Sequence, residues 1–263
     1  MKGRRTIRAW AVLFWLLLWQ AGAMAIDQRI ILVSPLTVLA RLTELVATLD
    51  FWGAIWYSLV RITAGFLLGT VAGLYLGYDG ALSALLYGSV LAALSARFRR
   101  VEELLAPALL AIKSIPVASF IILALILFSS KNLAVLISFL IVLPVLYTNL
   151  LSGIRAADPQ LLEMARVFRI PTLRSIRYVY LPQVLPYFRS ACGSALGLCW
   201  KSGIAAEVIG MPDGSIGEQL QQAKIYLNTP DLFAWTLVIV LLSAGFEKLF
   251  LLAVDKMAER MGA

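Results

Sequence analysis

The sequence predicts an all-α, polytopic transmembrane helical bundle of about six spans, with room for a seventh. Three observations carry that prediction. Hydrophobic residues make up 61% of the 263 residues and charged residues only 14%, so a bilayer rather than water is the solvent that suits this chain. Apolar runs recur at about the 17–25 residues a helix needs to cross hydrocarbon. The runs are continuous and do not alternate, which selects helices over a barrel, because only a helix satisfies its backbone within one segment.

The first run, 9–26, follows Lys2, Arg4, Arg5 and Arg8. Its Ala-Met-Ala at 23–25 also resembles the end of a cleavable signal peptide. The reading adopted is a retained helix, and either reading leaves residue 27 outside. Residues 1–33 are thus expected to form an N-terminal transmembrane helix with a short external segment, 34–255 a core domain and 256–263 a cytoplasmic tail. Ser34 followed by Pro35 is a helix start, and Leu36, Leu39, Leu42, Val46 and Leu49 then share one stripe. This predicts an interfacial helix or, equally, a connector packed on the bundle.

The remaining runs are 62–78, 80–96, 106–130, 132–154, 188–209 and 232–254. Net charge is +8, and its clustering sets orientation. Basic groups at the N-terminus, at Arg97, Arg99 and Arg100, and from Arg155 to Arg177 are all placed in the cytoplasm by the positive-inside rule. An even number of crossings must then separate the first two clusters, although three apolar runs lie between them. Asp79 sits between Gly77 and Gly80, residues expected to break a helix. We therefore take 58–78 as the crossing and 80–96 as an embedded return, with a full span as the alternative. Both termini are expected in the cytoplasm.

The sequence contains no histidine, and Cys192 and Cys199 lie seven apart within one apolar run. Two thiols are not a zinc site, and packing is their expected role. Without histidine the usual Ser-His and zinc-peptidase centres are excluded. No GxxxxGK[ST] loop is present, so this chain does not bind nucleotide by a P-loop. The chain is expected to be neither an enzyme nor a nucleic-acid binder, and to hold no cofactor or metal.

One cationic stretch, residues 155–182, separates two apolar runs. Pro159 after Asp158 starts a helix in which Leu161, Leu162, Ala165, Val167 and Phe168 are apolar while Glu163 and Arg166 face outward, and Pro171 ends it. A second short helix follows, with Leu173, Ile176 and Val179 or Tyr180 apolar, stopped by Pro182. Two short amphipathic helices at a tight corner suit a groove on a partner, although a basic loop that merely sets topology has the same composition.

Glu163-Met164-Ala165, a corner six residues after the Glu, and Val179-Tyr180-Leu181-Pro182 resemble the EAA loop of ABC-importer permeases, Glu-Ala-Ala, three residues, Gly, nine residues, Ile-x-Leu-Pro. Met164 replaces the first Ala, and Arg169 stands at the Gly position, where a positive φ is used. Arg169 must take another geometry, set by Pro171, or bear strain. Further segments at 58–77, 109–128, 143–166 and 196–210 look like permeases of the nitrate, sulfonate and taurine type.

The resemblance implies a type I ABC-importer permease fold. It also implies a pair of permease subunits around one path, a second copy of this chain being the simplest partner. Separate cytoplasmic ATPases would carry ATP and Mg, and an extracytoplasmic substrate-binding protein would deliver the solute. Glu163, Met164, Ala165, Arg166, Phe168, Arg169, Leu181 and Pro182 become the ATPase-coupling residues, with Ala165 allowing close approach and Phe168 an apolar anchor. A membrane scaffold that binds a soluble partner through the same loop is the alternative. The location implied is the bacterial plasma membrane.

Charges inside apolar runs cost about 2.5 kcal/mol or more and need a partner or a cavity. Lys113 precedes Pro116, whose position frees a carbonyl for the ammonium. Lys201 and Glu207 share a run with Gly193, Gly197 and Gly203 and point about 240° apart on a helix. One intrahelical ion pair cannot neutralise both, so at least one is expected to face an aqueous path, or each pairs with a neighbouring helix. Lys113, Lys201 and Glu207 are the candidate path or gate residues. Glu247 and Lys248, near the end of the last run, can snorkel. The loop from Gly210 to Trp235 resembles the family's external gate region, which implies a meeting point for a binding protein; a plain connector is the alternative.

Overall fold

A computed structural model of the chain describes residues 9–26, 32–86, 103 and 106–261, and among these there is no strand. The helices, in order, are α1 (Ala9–Ile26), α2 (Pro35–Val46) and α3 (Leu49–Leu86), then α4 (Ala106–Ser114). They continue with α5 (Val117–Leu127), α6 (Ser130–Arg155), α7 (Pro159–Val167), α8 (Thr172–Ser175), α9 (Leu181–Gly210), α10 (Ile216–Ile225) and α11 (Thr229–Met261). Leu49–Leu74 of α3, all of α6 and Thr229–Glu259 of α11 are each long and apolar enough to cross a bilayer. The basic clusters at residues 2–8 and 97–100, and residues 87–96 of the suspected return, lie outside the described residues.

The centre is a three-helix seam of α3, α6 and α9. In a bilayer, close packing replaces the hydrophobic drive, so small residues decide where helices meet. Gly65, Gly69 and Gly73 form one edge of α3, and a Cβ at Gly65 would stand 2.6 Å from that of Ser138, at Gly69 2.9 Å from that of Val142, and at Gly73 2.9 Å from that of Leu146. Gly203 of α9 meets Ile62 and Ser138 in the same way. Fully buried Ile62, Phe66, Leu146, Leu196 and Trp200 fill the space between. α11 closes the other side, with Phe246 and Phe250 edge-on to Phe66.

Outside this seam, Ser34 caps α2 by accepting the Thr37 N–H at 3.3 Å. Val38 is buried and Leu42 and Leu45 pack inward, while Leu36, Leu39 and Val46 stay exposed. The predicted helix thus forms, but it stops at Val46, and Leu49 belongs to α3.

Four further sequence expectations are corrected. The crossing in α3 begins at Leu49 and not at 58, and the helix runs through Gly77 and Gly80 to Leu86; a glycine costs about 1 kcal/mol in a helix, which a long apolar helix tolerates. The run 106–130 is not one straight span, because α4 and α5 meet at 109° across Ile115-Pro116. Proline removes a helical donor and steers its predecessor out of the helical region, so the helix breaks there. At about 1.5 Å per residue α5 alone reaches only about 16 Å, half the hydrocarbon thickness.

The fourth correction concerns Pro182. The second short helix is not stopped there: α8 passes through a π-turn at Ile176–Tyr180 directly into α9, with Leu181 and Pro182 in its first turn. Proline is tolerated at a helix start, and the wider turn absorbs the missing donor.

Candidate functional site

The coupling region is built on α7. Asp158 caps it by accepting the Gln160 N–H at 2.8 Å, and Pro159 occupies its first turn. The far end is a Schellman turn: the Ile170 N–H donates to Ala165 O at 2.9 Å and the Arg169 N–H to Arg166 O at 3.1 Å. That turn requires a left-handed residue, and Arg169 supplies it with φ 51°. Of the two outcomes open to Arg169, the structure has the strained one: the chain keeps the glycine geometry without the glycine.

The faces of α7 differ from expectation at one position. Glu163, Met164 and Arg166 are exposed, and Val167 and Phe168 are 72% and 74% exposed. Ala165, assigned to close approach of a partner, is instead 5% exposed and turned into the chain. Leu181 and Pro182 are half-buried where α9 begins. Gln183 ties these parts together, accepting the Asp158 N–H at 2.7 Å and donating to Val179 O at 2.8 Å. Burial in this joint raises the Tyr180 phenol above its ordinary pKa, against a smaller opposing effect of Arg166.

The three intramembrane charges fall in different places. Lys113 is exposed on α4, and its Nζ donates to Thr148 Oγ1 of α6 at 3.4 Å, so a hydroxyl across the bend meets the ammonium. Lys201 is exposed although 11 of the 17 residues at 191–207 of α9 are buried. Ser190, Ser194, Leu198 and Lys201 are exposed and Gly193, Gly197 and Ala205 half-buried, at spacings that place them on one arc of the helix. A Cβ at Gly197 would meet nothing within 4 Å and one at Gly193 only Leu251 at 3.7 Å. Of the three glycines in this run, only Gly203 packs tightly against a neighbour.

Glu207 does not share that arc. It is 1% exposed, its Oε2 accepting from Ser58 Oγ at 2.6 Å. Of the two outcomes open to Glu207, the structure has the contact with a neighbouring helix. Glu247 is half-buried beside Lys248 in a groove between α9 and α11 that also holds the Arg189–Asp255 ion pair.

Where α2 meets α11, Arg41 pairs through Nε and Nη2 with Asp231 and donates from Nη1 to Glu44. Asp231, then Glu44, raise the Arg41 pKa above its ordinary value. Sequence reasoning missed Ser58, Gln183 and the α3 glycine edge. Only the last had a signal, the GxxxGxxxG spacing of Gly65, Gly69 and Gly73. Among the described residues no three His, Cys, Asp or Glu side chains converge on a metal-sized site.

Residues 84–262 match the family of binding-protein-dependent transport system inner membrane components. The chain belongs to that family. It is a multi-pass permease subunit of an ABC importer in the cell membrane, working with an ATPase and a substrate-binding protein. It is 28% identical over 224 residues to the aliphatic sulfonates transport permease protein SsuC of Bacillus subtilis (strain 168), covering 84% of this chain and 75% of that one. It is 26% identical over 160 residues to the bicarbonate transport system permease protein CmpB of Synechococcus elongatus, covering 60% and 52%. A chain from the crystal structure of an amino acid ABC transporter with histidines shares the fold, with TM-score 0.53 at 18% identity, covering 84% of this chain and 96% of that one.

Proposed function

We propose that this permease subunit conducts a small anionic solute of the sulfonate, nitrate or bicarbonate kind, and that the exposed arc of α9 faces the path. The observation that carries the reading is Lys201, an exposed cation on a small, polar stripe of a stretch, residues 191–207, in which 11 of the 17 residues are buried. Lys201 lies about 14 Å along the axis from Gly210, deep in a span, where a lipid-facing ammonium is costly. Water in a shared path, or a second copy of the chain, removes that cost. The relatives named for sulfonate and bicarbonate transport move anions, for which an ammonium is a suitable counter-ion.

Coupling is assigned to α7. Its exposed Val167 and Phe168, edged by Glu163, Met164, Arg166 and Arg169, form an apolar knob with a charged rim that suits a groove on the ATPase. ATP and Mg act on that partner. Closure of the ATPase pair would move α7 as a rigid body, and the continuous path from the π-turn into α9 would carry the displacement to the Lys201 arc. This reading puts both termini and α7 in the cytoplasm, α10 outside, and a second copy of the chain across the path.

The test is uptake into proteoliposomes holding the full transporter, with sulfonate, nitrate and bicarbonate offered in turn. Lys201→Ala is expected to lower uptake of the transported anion at least tenfold, and Lys201→Arg to keep most of it. Uptake within twofold of the parent in a stably assembled Lys201→Ala transporter would end the pathway reading.

A further inference from the structure

Glu207 is the only charged side chain in the buried set among the described residues, and its partners explain why it is there. Oε2 accepts from Ser58 Oγ of α3 at 2.6 Å and from the Gly217 N–H of α10 at 3.3 Å. Ser58 Oγ in turn accepts the Ile216 N–H at 3.0 Å, while Ser215 Oγ takes the Glu218 N–H at 3.0 Å. The opening N–H groups of α10, which a helix leaves unpaired, therefore end on a carboxylate of α9, a hydroxyl of α3 and its own cap. The acidic side chain also stands at the positive end of the α10 dipole.

The fit leaves no slack, because a Cβ at Gly217 would overlap the Cβ of Glu207. Just beyond the other end of α10, Asn228 Nδ2 donates to Asp231 Oδ2 at 2.7 Å, and Asp231 is paired with Arg41 of α2. The external helix is thus held near both ends by side chains of other elements.

We propose that Glu207 is a positioning residue that fastens α10 to the helix carrying Lys201, so that a push on α10 from outside displaces the Lys201 arc. The proposal rests on the reading of that arc as the path, and its failure is separable. Lys201→Ala tests the arc through uptake, whereas Glu207 is tested through the motion of α10 and the response to the binding protein.

The experiment compares Glu207→Ala, Glu207→Gln and Gly217→Ala in the complete transporter with its ATPase and binding protein in liposomes. It measures amide hydrogen exchange at residues 216–218 and the ratio of binding-protein-stimulated to basal ATP hydrolysis. Glu207→Ala is expected to speed exchange at least tenfold and to cut the stimulation ratio at least fivefold. Glu207→Gln, whose amide oxygen still accepts from Ser58 and Gly217, should restore both to within threefold of the parent. If Glu207→Ala does not assemble, Gly217→Ala carries the same thresholds, since it lifts α10 without touching the charge. Unchanged exchange overturns the proposal, and so does faster exchange with an unchanged stimulation ratio, which would make the contact merely structural.

Discussion

Arg169 holds φ at 51° so that the Schellman turn after α7 can close. A side chain in the left-handed region costs roughly 1–2 kcal/mol, and glycine does not bear that cost. Arg169→Gly is therefore expected to stabilise the folded protein by about 1 kcal/mol, measured as a raised melting temperature in detergent. The corner should not change shape, because its two hydrogen bonds are made by the backbone. Leu227, at φ 52° after α10, stands in the same kind of turn, with the Asn228 N–H on Ala223 O at 2.8 Å.

Between elements, backbone proximity decides. A Cβ on Gly65 would stand 2.5 Å from the carbonyl oxygen of Val135, and backbone on both sides cannot swing away as a flexible side chain would. Gly65→Ala is expected to destabilise the α3–α6 seam by about 1–3 kcal/mol, the usual range for overpacking. Gly197→Ala, which would meet nothing within 4 Å, should leave the melting temperature in detergent unchanged. If Gly65→Ala melts like the parent, the seam is looser than described.

For the whole molecule the question is what docks where. Val167 and Phe168 are the most exposed apolar residues of α7 and its cap, and Ala165 faces inward. A cysteine at Phe168 should cross-link to the ATPase, and one at Ala165 should not. Phe168→Asp is expected to weaken assembly by about 2 kcal/mol or more, as losing a central apolar anchor does, measured by co-purification of the ATPase at graded concentrations. Retention of the ATPase at parental levels would move docking away from α7.

How far each feature was legible in the sequence follows from the range of the interaction that makes it. Helix starts at Ser34-Pro35 and Asp158-Pro159, the end of α7 before Pro171, the long apolar helices and the family resemblance of residues 155–182 were all readable, because caps, prolines and apolar length act within a few residues. The sequence alone therefore determined a helical membrane protein with one basic segment between apolar runs.

Only the tertiary structure decided that Glu207 points at Ser58 and α10 while Lys201 stays open. Both are charges in one apolar run, and their fates depend on helices 149 residues apart in the chain for the Ser58 contact. It likewise decided that Pro182 begins a helix where a stop was expected. A proline fits either end of a turn, and the neighbouring backbone determines which.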